Sequence, residues 1–420
     1  MNTINRTLLE QAVAAARELL QFRQPADAVL SAYFRAQRCG PRERAFIAEA
    51  GYAVLRRRRS LAAWIGPEAD TRQLVLAALV RHCSISMRTL ETALGKRDAE
   101  WLAQLKARPE PAFSLAEQAD LPDWLVERLR ALLGEAALLE LARALNQPAP
   151  LDLRVNALKG DRDAVLARFA QDGIAAAACP YAPQGVRLAG KPSLNKHPLF
   201  LDGSVEVQDE GSQLLGQLLA PKRGEMVVDF CAGAGGKTLL LGALMRSTGR
   251  LYAFDVSDKR LAKLKPRLAR SGLSNVHPAV IAHENDTHVK RLAGKCDRVL
   301  VDAPCSGLGT LRRNPDLKWR QTPQSVAELV AKQASILAAA AKLLKPGGRL
   351  VYATCSLLPE ENEAIVDAFL AAHPQFVRRS AREILAAQGI AIELAGDDLQ
   401  LLPHVHGTDG FYAAVLERAA

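Results

Sequence analysis

The sequence predicts an α/β protein in which an all-α region and a small α+β region precede a doubly wound, mostly parallel sheet. Helical periodicity fills the residues before 147, a Gln-Pro-Ala-Pro segment follows, and short apolar strands alternate with helix-length stretches after residue 212. The 420 residues are also too many for one ordinary core. We therefore predict three domains, over residues 1–146, 147–211 and 212–420.

The first domain is predicted to be helical throughout. Apolar residues between Leu8 and Leu20 recur at steps of three and four, which places them on one face of a helix. Proline and glycine separate this helix from the later ones. Those later helices are predicted at 26–37, 41–56, 72–83, 87–106, 122–133 and 135–145.

Strands are predicted only after the proline-rich linker, because proline cannot continue a helix. The small domain is expected to contain strands at 151–158, 185–189 and 204–208, with a helix over 161–172. The runs in the last domain are nearly continuously apolar, as in parallel strands that are buried on both faces. They are Met226–Cys231, Leu251–Val256, Val276–Ile281, Arg298–Asp302 and Leu350–Thr354, with two further runs between Leu399 and Leu416.

The composition indicates a globular protein with an excess of positive charge. Hydrophobic residues make up 49% of the chain and charged residues 24%, which excludes a largely disordered chain. The net charge of +10 favours contact with phosphate, although many basic proteins bind no nucleic acid. The polar start at Met1–Glu10 does not resemble a secretory signal, and no apolar run is long enough for a membrane span. We expect a cytoplasmic protein with no membrane partner.

A glycine-rich loop, DFCAGAGGKT at residues 229–238, follows the first strand of the last domain. Glycines and a helix N-terminus there let a ligand approach the backbone. The ending resembles a phosphate-binding loop, but Cys231 occupies the position where that loop requires its first glycine. This spacing argues against an NTPase.

Acidic residues follow successive predicted strands at Asp229, Asp255, Asp286 and Asp302. The carboxyl ends of parallel strands border the crevice in which such sheets bind ligands, and a carboxylate can accept hydrogen bonds from ribose hydroxyls. Each aspartate taken singly could instead cap the following helix. Together they favour a nucleotide-like, cationic ligand.

Seven cysteines without a CxxC pair predict neither a zinc site nor a disulfide framework. We expect Cys39, Cys83, Cys179 and Cys296 to pack as small apolar side chains, and Cys231 to pack in the glycine loop. The remaining pair, Cys305 and Cys355, lies in polar turns after two strands that we expect to be neighbours. These two sulfur atoms are predicted to meet at one edge of the sheet.

On these residues the chain resembles the bacterial RNA cytosine-5 methyltransferases of the Fmu/Sun, or RsmB-like, type, which are related to the Nop/NSUN enzymes. The loop departs from the family at Ala234, where proline is usual. The matching segments are DFCAGAGGKT (229–238), FDVSDKRL (254–261), DAPCSGLGTLRRNPDLKWR (302–320), ATCSLLPEENE (353–363), HGTDGFYAAVLER (406–418), LDLRVNALK (151–159) and VQDEGSQL (207–214).

The resemblance implies a Rossmann-like domain that uses S-adenosylmethionine. In that family's chemistry Cys355 attacks C6 of cytosine, Cys305 assists removal of the C5 proton, and Asp302 binds the N3/N4 edge of the base. The implied cofactor-binding residues are Cys231, Ala232, Gly233, Ala234, Gly235, Gly236, Lys237, Asp255, Arg260, Asp286 and Asp302. Asp255 is expected at the ribose and Asp286 at the adenine amine. We interpret Arg154, Arg312, Arg313 and Lys318 as candidate RNA contacts.

Residues 26–61 resemble the NusB-like RNA-binding domain that is fused to the ribosomal RNA enzymes. The run from Arg56 to Arg59 could add a phosphate contact there. Small-subunit ribosomal RNA is the expected substrate, with transfer RNA and a non-catalytic, RNA-binding assembly factor as the alternatives. Two retained thiols argue against the assembly factor, because binding alone requires neither. We expect a monomer that holds no metal.

Overall fold

The computed structural model describes residues 4–420, and the first three residues of the predicted helical domain lie outside this range. The described chain divides into two compact units. The helical unit runs to Pro148 and also contains Thr310–Pro323, whereas the sheet unit contains Ala149–Gly309 and Gln324–Ala420. The segments predicted at 147–211 and 212–420 therefore share one unit, and residues 310–323 belong with the helices. No helix within residues 4–420 is long and apolar enough to cross a membrane.

The elements alternate in the sheet unit much as the sequence predicts. The helices are α1 Arg6–Leu19, α2 Ala26–Ala36, α3 Pro41–Ile65, α4 Thr71–His82, α5 Met87–Leu90, α6 Lys96–Ala107, α7 Leu115–Ala119, α8 Asp123–Leu133, α9 Glu135–Leu145, α10 Arg162–Gln171, α11 Pro198–Leu201, α12 Glu210–Leu219, α13 Gly236–Leu244, α14 Asp258–Leu261, α15 Leu264–Ser271, α16 Thr287–Lys290, α17 Leu317–Arg320, α18 Pro323–Ala341, α19 Glu363–Ala372, α20 Ala381–Ala386 and α21 Pro403–His406. The strands are β1 Leu151–Val155, β2 Ala176–Ala178, β3 Gly185–Leu188, β4 Val205–Val207, β5 Met226–Asp229, β6 Arg250–Asp255, β7 Val276–Val280, β8 Cys296–Asp302, β9 Leu344–Thr354, β10 Phe376–Arg379, β11 Leu399–Leu401 and β12 Phe411–Arg418.

Helix α3 differs most from the prediction, because it continues to Ile65 instead of ending at residue 56. Its backbone is non-helical at Arg57, with φ −118° and ψ 22°. The carboxylate of Asp120 accepts hydrogen bonds from the amides of Arg59 (3.0 Å) and Ser60 (2.9 Å), so it caps the second half of the helix. The predicted end is thus a kink that is stabilised by a distant residue.

Residues 310–323 complete the core of the helical unit. Trp319 packs against the buried helical cluster, and its indole N–H donates to the Leu55 carbonyl at 2.8 Å. Lys318 is fully buried and donates to the Asn146 side chain (2.8 Å) and the Arg56 carbonyl (2.9 Å). Burial lowers the pKa of Lys318 to about 7. This segment is therefore a structural part of the helical unit.

The small sheet has the order β2-β3-β1-β4, and all its pairs are antiparallel. Phe169 and Val165 of α10 pack against it. The sequence did not predict β2, because its Ala176–Ala178 segment has no apolar alternation. Strand β1 ends at Val155, three residues before its predicted end.

The large sheet has the order β10-β12-β9-β8-β5-β6-β7, and β11 pairs with β12. Strands β5 to β9 run parallel, while β12 is antiparallel to its neighbours. Val227 packs into the core on one face and Val228 into the core on the other, which explains the continuous apolar runs. Strand β5 pairs with β6 on one side and β8 on the other. The doubly wound sheet was predicted, and β5 marks the switch point where such sheets bind ligands.

Candidate active site

A cavity of about 580 Å³ lies at the carboxyl ends of β5, β6, β8 and β9. Glycine-loop residues, strand-end carboxylates and both candidate thiols line it together. The predicted cofactor residues that line the cavity are Cys231, Ala232, Gly233, Ala234, Gly236, Lys237, Asp255, Arg260 and Asp302. Gly235 and Asp286 are not among the lining residues.

The glycine loop shapes one wall of this cavity. Gly233 has φ 56°, and a Cβ atom placed there would meet no described atom within 4 Å, so its backbone faces open space. Gly235 has φ 81°, and a Cβ there would lie 2.2 Å from the Leu264 side chain. Glycine at 233 therefore leaves room for a ligand, whereas glycine at 235 lets α15 pack against the loop.

The strand-end carboxylates divide into different roles. Asp229 is buried and accepts from the Thr238 hydroxyl at 2.6 Å, and burial raises its pKa to about 7. Its Oδ1 atom has no hydrogen-bond partner among residues 4–420. Asp255 accepts from the Gly233 amide (2.8 Å), the Ser257 amide (2.7 Å) and Arg260 (3.0 Å), so it also fixes the loop.

Asp286 acts as a helix cap, the alternative that the sequence left open. Its carboxylate accepts from the Ala282 amide (2.9 Å) and the His288 amide (2.8 Å), and it is the N-cap of α16. These hydrogen bonds lower its pKa. Its predicted place at the adenine amine stays a prediction.

Acidic and basic side chains line the cavity in equal number, although the strand-end aspartates alone favour a cationic ligand. Four acidic and four basic side chains line it. The acidic side chains are Asp229, Asp255, Glu284 and Asp302, and the basic side chains are Lys237, Arg260, Arg267 and Lys332. Asp302 pairs with Lys237 at 2.7 Å. Burial would lower the pKa of Lys237, but the carboxylates of Asp302 and Asp229 outweigh it and the pKa is raised.

The two strand-end thiols lie next to each other, as predicted. The sulfur atoms of Cys305 and Cys355 are 3.4 Å apart, and the Cys355 amide donates to the Cys305 sulfur at 3.3 Å. The pKa of Cys305 is raised well above its usual range, first by its hydrogen bond with Cys355 and then by burial. Cys305 is therefore a neutral thiol at neutral pH.

Glu361, to which the sequence reasoning gave no role, joins the two cysteine loops. It is fully buried and accepts from the Ser306 amide (2.8 Å), the Ser306 hydroxyl (2.5 Å) and the Ser356 hydroxyl. Gln333 donates to Glu361 at 3.0 Å and to the Pro304 carbonyl at 2.9 Å. Each serine directly follows one of the thiols, so this carboxylate fixes their separation. The sequence does carry a signal for this residue. Glu361 lies in the PEEN stretch after the Thr-Cys pair and is not part of a pattern typical of a surface.

Arg154 does not reach solvent, which corrects its prediction as an RNA contact. It is buried and donates to the Gly236 carbonyl at 2.7 Å and to the Gln208 side chain. Burial lowers its pKa to about 9. Arg267 donates to the Ala234 carbonyl at 2.6 Å. These two arginines bind carbonyl groups of the glycine loop.

The other candidate RNA contacts belong to the helical unit. Lys318 is fully buried and Arg312 nearly so, which contradicts their prediction as phosphate contacts. Arg313 is half-buried in the same segment, and its predicted role stays a prediction. The run from Arg56 to Arg59 makes internal contacts, with Arg57 next to Asp120 (3.6 Å) and Arg59 bonded to Asp123 (2.7 Å).

The burial of the other cysteines agrees in part with the packing that the sequence predicts. Cys39, Cys179 and Cys296 are buried, while Cys83 is half-buried. Cys179 lies close to Asp152 and Glu210, and these three form the one group of potential metal ligands found in the described part of the chain. Both carboxylates already bind Arg187, at 2.7 and 3.4 Å. The arrangement reads as a buried ion-pair cluster.

Comparison with known proteins gives consistent matches over most of the chain. The family described as 16S rRNA methyltransferase RsmB/F matches residues 216–417, and the RsmF/B-like ferredoxin-like domain matches residues 121–195. The probable ribosomal RNA small subunit methyltransferase B of Synechocystis sp. is 41% identical over 311 residues, which cover 73% of this chain and 69% of the relative. The Bacillus subtilis protein of the same name is 34% identical over 325 residues, covering 76% and 71%. A crystal structure of a methyltransferase homolog protein from Pyrococcus horikoshii is 31% identical, with a TM-score of 0.62, and covers 72% of this chain and 97% of its own.

Proposed function

This chain belongs to the RsmB/F family of 16S rRNA methyltransferases, and from that membership we propose that it methylates C5 of a cytosine in small-subunit ribosomal RNA with S-adenosylmethionine. The observation that carries the proposal is the pair of thiols, 3.4 Å apart, in the cavity that the glycine loop borders. Curated relatives that are named as ribosomal RNA enzymes favour this substrate over transfer RNA.

The cavity fits the proposed cofactor on two observations. The open space beside Gly233 leaves the loop backbone accessible to a ligand. Asp229 lines the same cavity, and its buried Oδ1 atom has no hydrogen-bond partner among residues 4–420. S-adenosylmethionine, when bound, supplies an electrophilic methyl group. Asp255 would hold its ribose, and the loop backbone would hold its methionine end.

Cys355 begins the reaction in this proposal. Its thiolate attacks C6 of cytosine, N3 takes up a proton from water, and the ring loses its aromaticity, which makes C5 nucleophilic. Lys237 lines the same cavity as Cys355. Asp302, which is held by Lys237 at 2.7 Å, would orient the N3/N4 edge of the base. The base must leave its stack to enter this cavity.

Once C5 carries the methyl group, Cys305 would complete the reaction by accepting the C5 proton. The electron pair of the C5–H bond re-forms the ring double bond, and the Cys355 sulfur leaves C6 as a thiolate. In the free protein Cys305 is a neutral thiol because its hydrogen bond with Cys355 raises its pKa. Adduct formation converts the Cys355 thiol to a thioether and removes that cause. The pKa of Cys305 then falls toward its usual range, so a larger fraction of Cys305 is the thiolate that can accept the C5 proton.

The test compares single-cysteine variants in methyl transfer to a 16S rRNA transcript, with bisulfite sequencing to locate the product. Cys355→Ala should abolish transfer and keep cofactor affinity. Cys305→Ala should accumulate an adduct with RNA that resists denaturant. Cys83→Ala, which changes a half-buried thiol of the helical unit, is the matched control and should behave as wild type. Methylation by Cys355→Ala at the wild-type rate would refute the proposal.

A further inference from the structure

We propose that Cys305 and Cys355 form an oxidation site, which reacts with a hydroperoxide and closes reversibly into a disulfide. Both are free thiols in the structure, and their sulfur atoms lie 3.4 Å apart. Both residues are half-buried and line the cavity, so a molecule as small as hydrogen peroxide can reach them. No second pair of sulfur atoms makes such a contact among the seven cysteines, which all lie within residues 4–420. We call these two residues the thiol pair.

The backbone around the thiol pair is held at a spacing that suits a disulfide. Strands β8 and β9 are parallel neighbours, and each thiol follows one of them. Neighbouring strands lie about 4.8 Å apart, which is inside the range of about 4.4–6.8 Å between the Cα atoms of disulfide-bonded cysteines. Glu361 accepts hydrogen bonds from Ser306 and Ser356, which directly follow the thiols, so the two loops stay together. Side-chain rotations that bring the sulfur atoms about 1.4 Å closer would complete the bond.

The hydrogen bond within the thiol pair gives the two sulfur atoms different roles. Cys305 keeps its proton, because this hydrogen bond and burial raise its pKa well above the usual range. The Cys355 sulfur therefore accepts the hydrogen bond and is the one that reacts as a thiolate. The Cys355 amide also donates to the Cys305 sulfur at 3.3 Å, which holds that sulfur beside its partner.

Two steps complete the oxidation, with the hydroperoxide as the oxidant. The Cys355 thiolate attacks the terminal oxygen, the O–O bond breaks, and the departing oxygen takes a proton from water, which leaves Cys355 as a sulfenic acid. The Cys305 sulfur then attacks the Cys355 sulfur, the S–O bond breaks, and the hydroxide leaves as water with the Cys305 proton. The two thiols lose two electrons in total, and these electrons reduce the hydroperoxide.

The disulfide would block the reaction that the thiol pair is proposed to perform. That reaction needs both sulfur atoms near neighbouring ring atoms, C6 and C5, and the same proximity makes the pair sensitive to oxidation. Oxidation removes the Cys355 nucleophile and changes no residue of the glycine loop. Loss of methyl transfer on oxidation therefore rests on the proposed function, whereas formation of the disulfide does not.

The test treats the reduced full chain with one equivalent of hydrogen peroxide and then alkylates the remaining thiols with iodoacetamide in urea. Intact mass should show the loss of two hydrogen atoms and alkylation of five of the seven cysteines. Peptide mapping should join Cys305 to Cys355, and dithiothreitol should restore both thiols. This disulfide should form about tenfold faster or more in the folded chain than in urea, because folding brings the sulfur atoms together.

Single-cysteine variants separate the two steps. Cys305→Ala should form no disulfide at this site and should keep Cys355 as a sulfenic acid, which dimedone labels. Cys83→Ala, which changes a half-buried thiol of the helical unit, is the matched control and should oxidise as wild type does.

Seven alkylated cysteines after peroxide treatment would overturn the proposal. A disulfide to any other cysteine, sulfinic acid in place of the disulfide, or equal rates in the folded chain and in urea would also overturn it. Methyl transfer to RNA separates this proposal from the proposed function. Activity should fall in proportion to the oxidised fraction and return with dithiothreitol. An oxidised enzyme that still methylates RNA would refute the catalytic role of Cys355 and leave the oxidation site standing.

Discussion

Replacement of Glu361 by alanine should disturb the two cysteine loops without changing a residue that is proposed to bind the cofactor or the RNA. Glu361 is fully buried and receives hydrogen bonds from both cysteine loops and from Gln333. In Glu361→Ala the Ser306 and Ser356 hydroxyls, which lie 3.1 Å apart, can still bond to each other. The Ser306 backbone amide and the Gln333 side-chain amide lose this acceptor, which costs about 1–3 kcal/mol for each. The free energy of unfolding should therefore fall by about 2–6 kcal/mol.

The activity of this variant should fall more steeply than its stability implies. A shift of about 1 Å between reacting groups can cost about 100-fold in rate, and Glu361 sets the relation between the two thiol loops. Single-turnover methyl transfer below the melting temperature measures this loss, and calorimetry should show cofactor affinity within twofold of wild type. Asp367→Ala, at a carboxylate that is 65% exposed, is the control and should change neither quantity much. A Glu361→Ala enzyme with wild-type Tm and wild-type turnover would refute the reasoning.

Three further predictions concern the glycine loop and residues 310–323. Because burial raises the pKa of Asp229 to about 7, cofactor affinity should rise by about tenfold between about pH 6 and 8 as the carboxylate ionises, and calorimetry should show a smaller rise in Asp229→Asn. Arg154→Met should weaken cofactor binding about tenfold and leave RNA affinity unchanged; the opposite pattern in the two binding assays would restore the RNA-contact interpretation. Trp319→Ala should lower the free energy of unfolding by about 2–4 kcal/mol in urea, and an unchanged midpoint would show that residues 310–323 are not part of the helical core.

The large sheet was predictable because its signals are local. Strands buried on both faces must be continuously apolar, and the turns that follow them must carry the polar ligand residues. The same reasoning placed Cys305 and Cys355 together, since the carboxyl ends of adjacent parallel strands share an edge. Their chemical roles rest on family resemblance and stay predictions.

The errors arose where a distant residue decides the outcome. The sequence of α3 does not reveal that Asp120 caps its second half, so the pattern predicts an end where the helix only kinks. Lys318 and Arg154 are predicted as RNA contacts, yet both are buried against acceptors far along the chain. No local pattern distinguishes such a residue from an exposed one, because its partners become neighbours only in the folded chain.

The most direct test of the proposed mechanism is to identify the residue that becomes covalently joined to the nucleotide. Cys305→Ala protein would be incubated with cofactor and 16S rRNA, digested with protease and nuclease, and mapped by mass spectrometry. We expect one modified peptide, joined to a methylated cytosine through the sulfur of Cys355. A nucleotide attached to any other side chain, or the absence of a covalent species while methylated RNA accumulates, would contradict the assignment of the nucleophile.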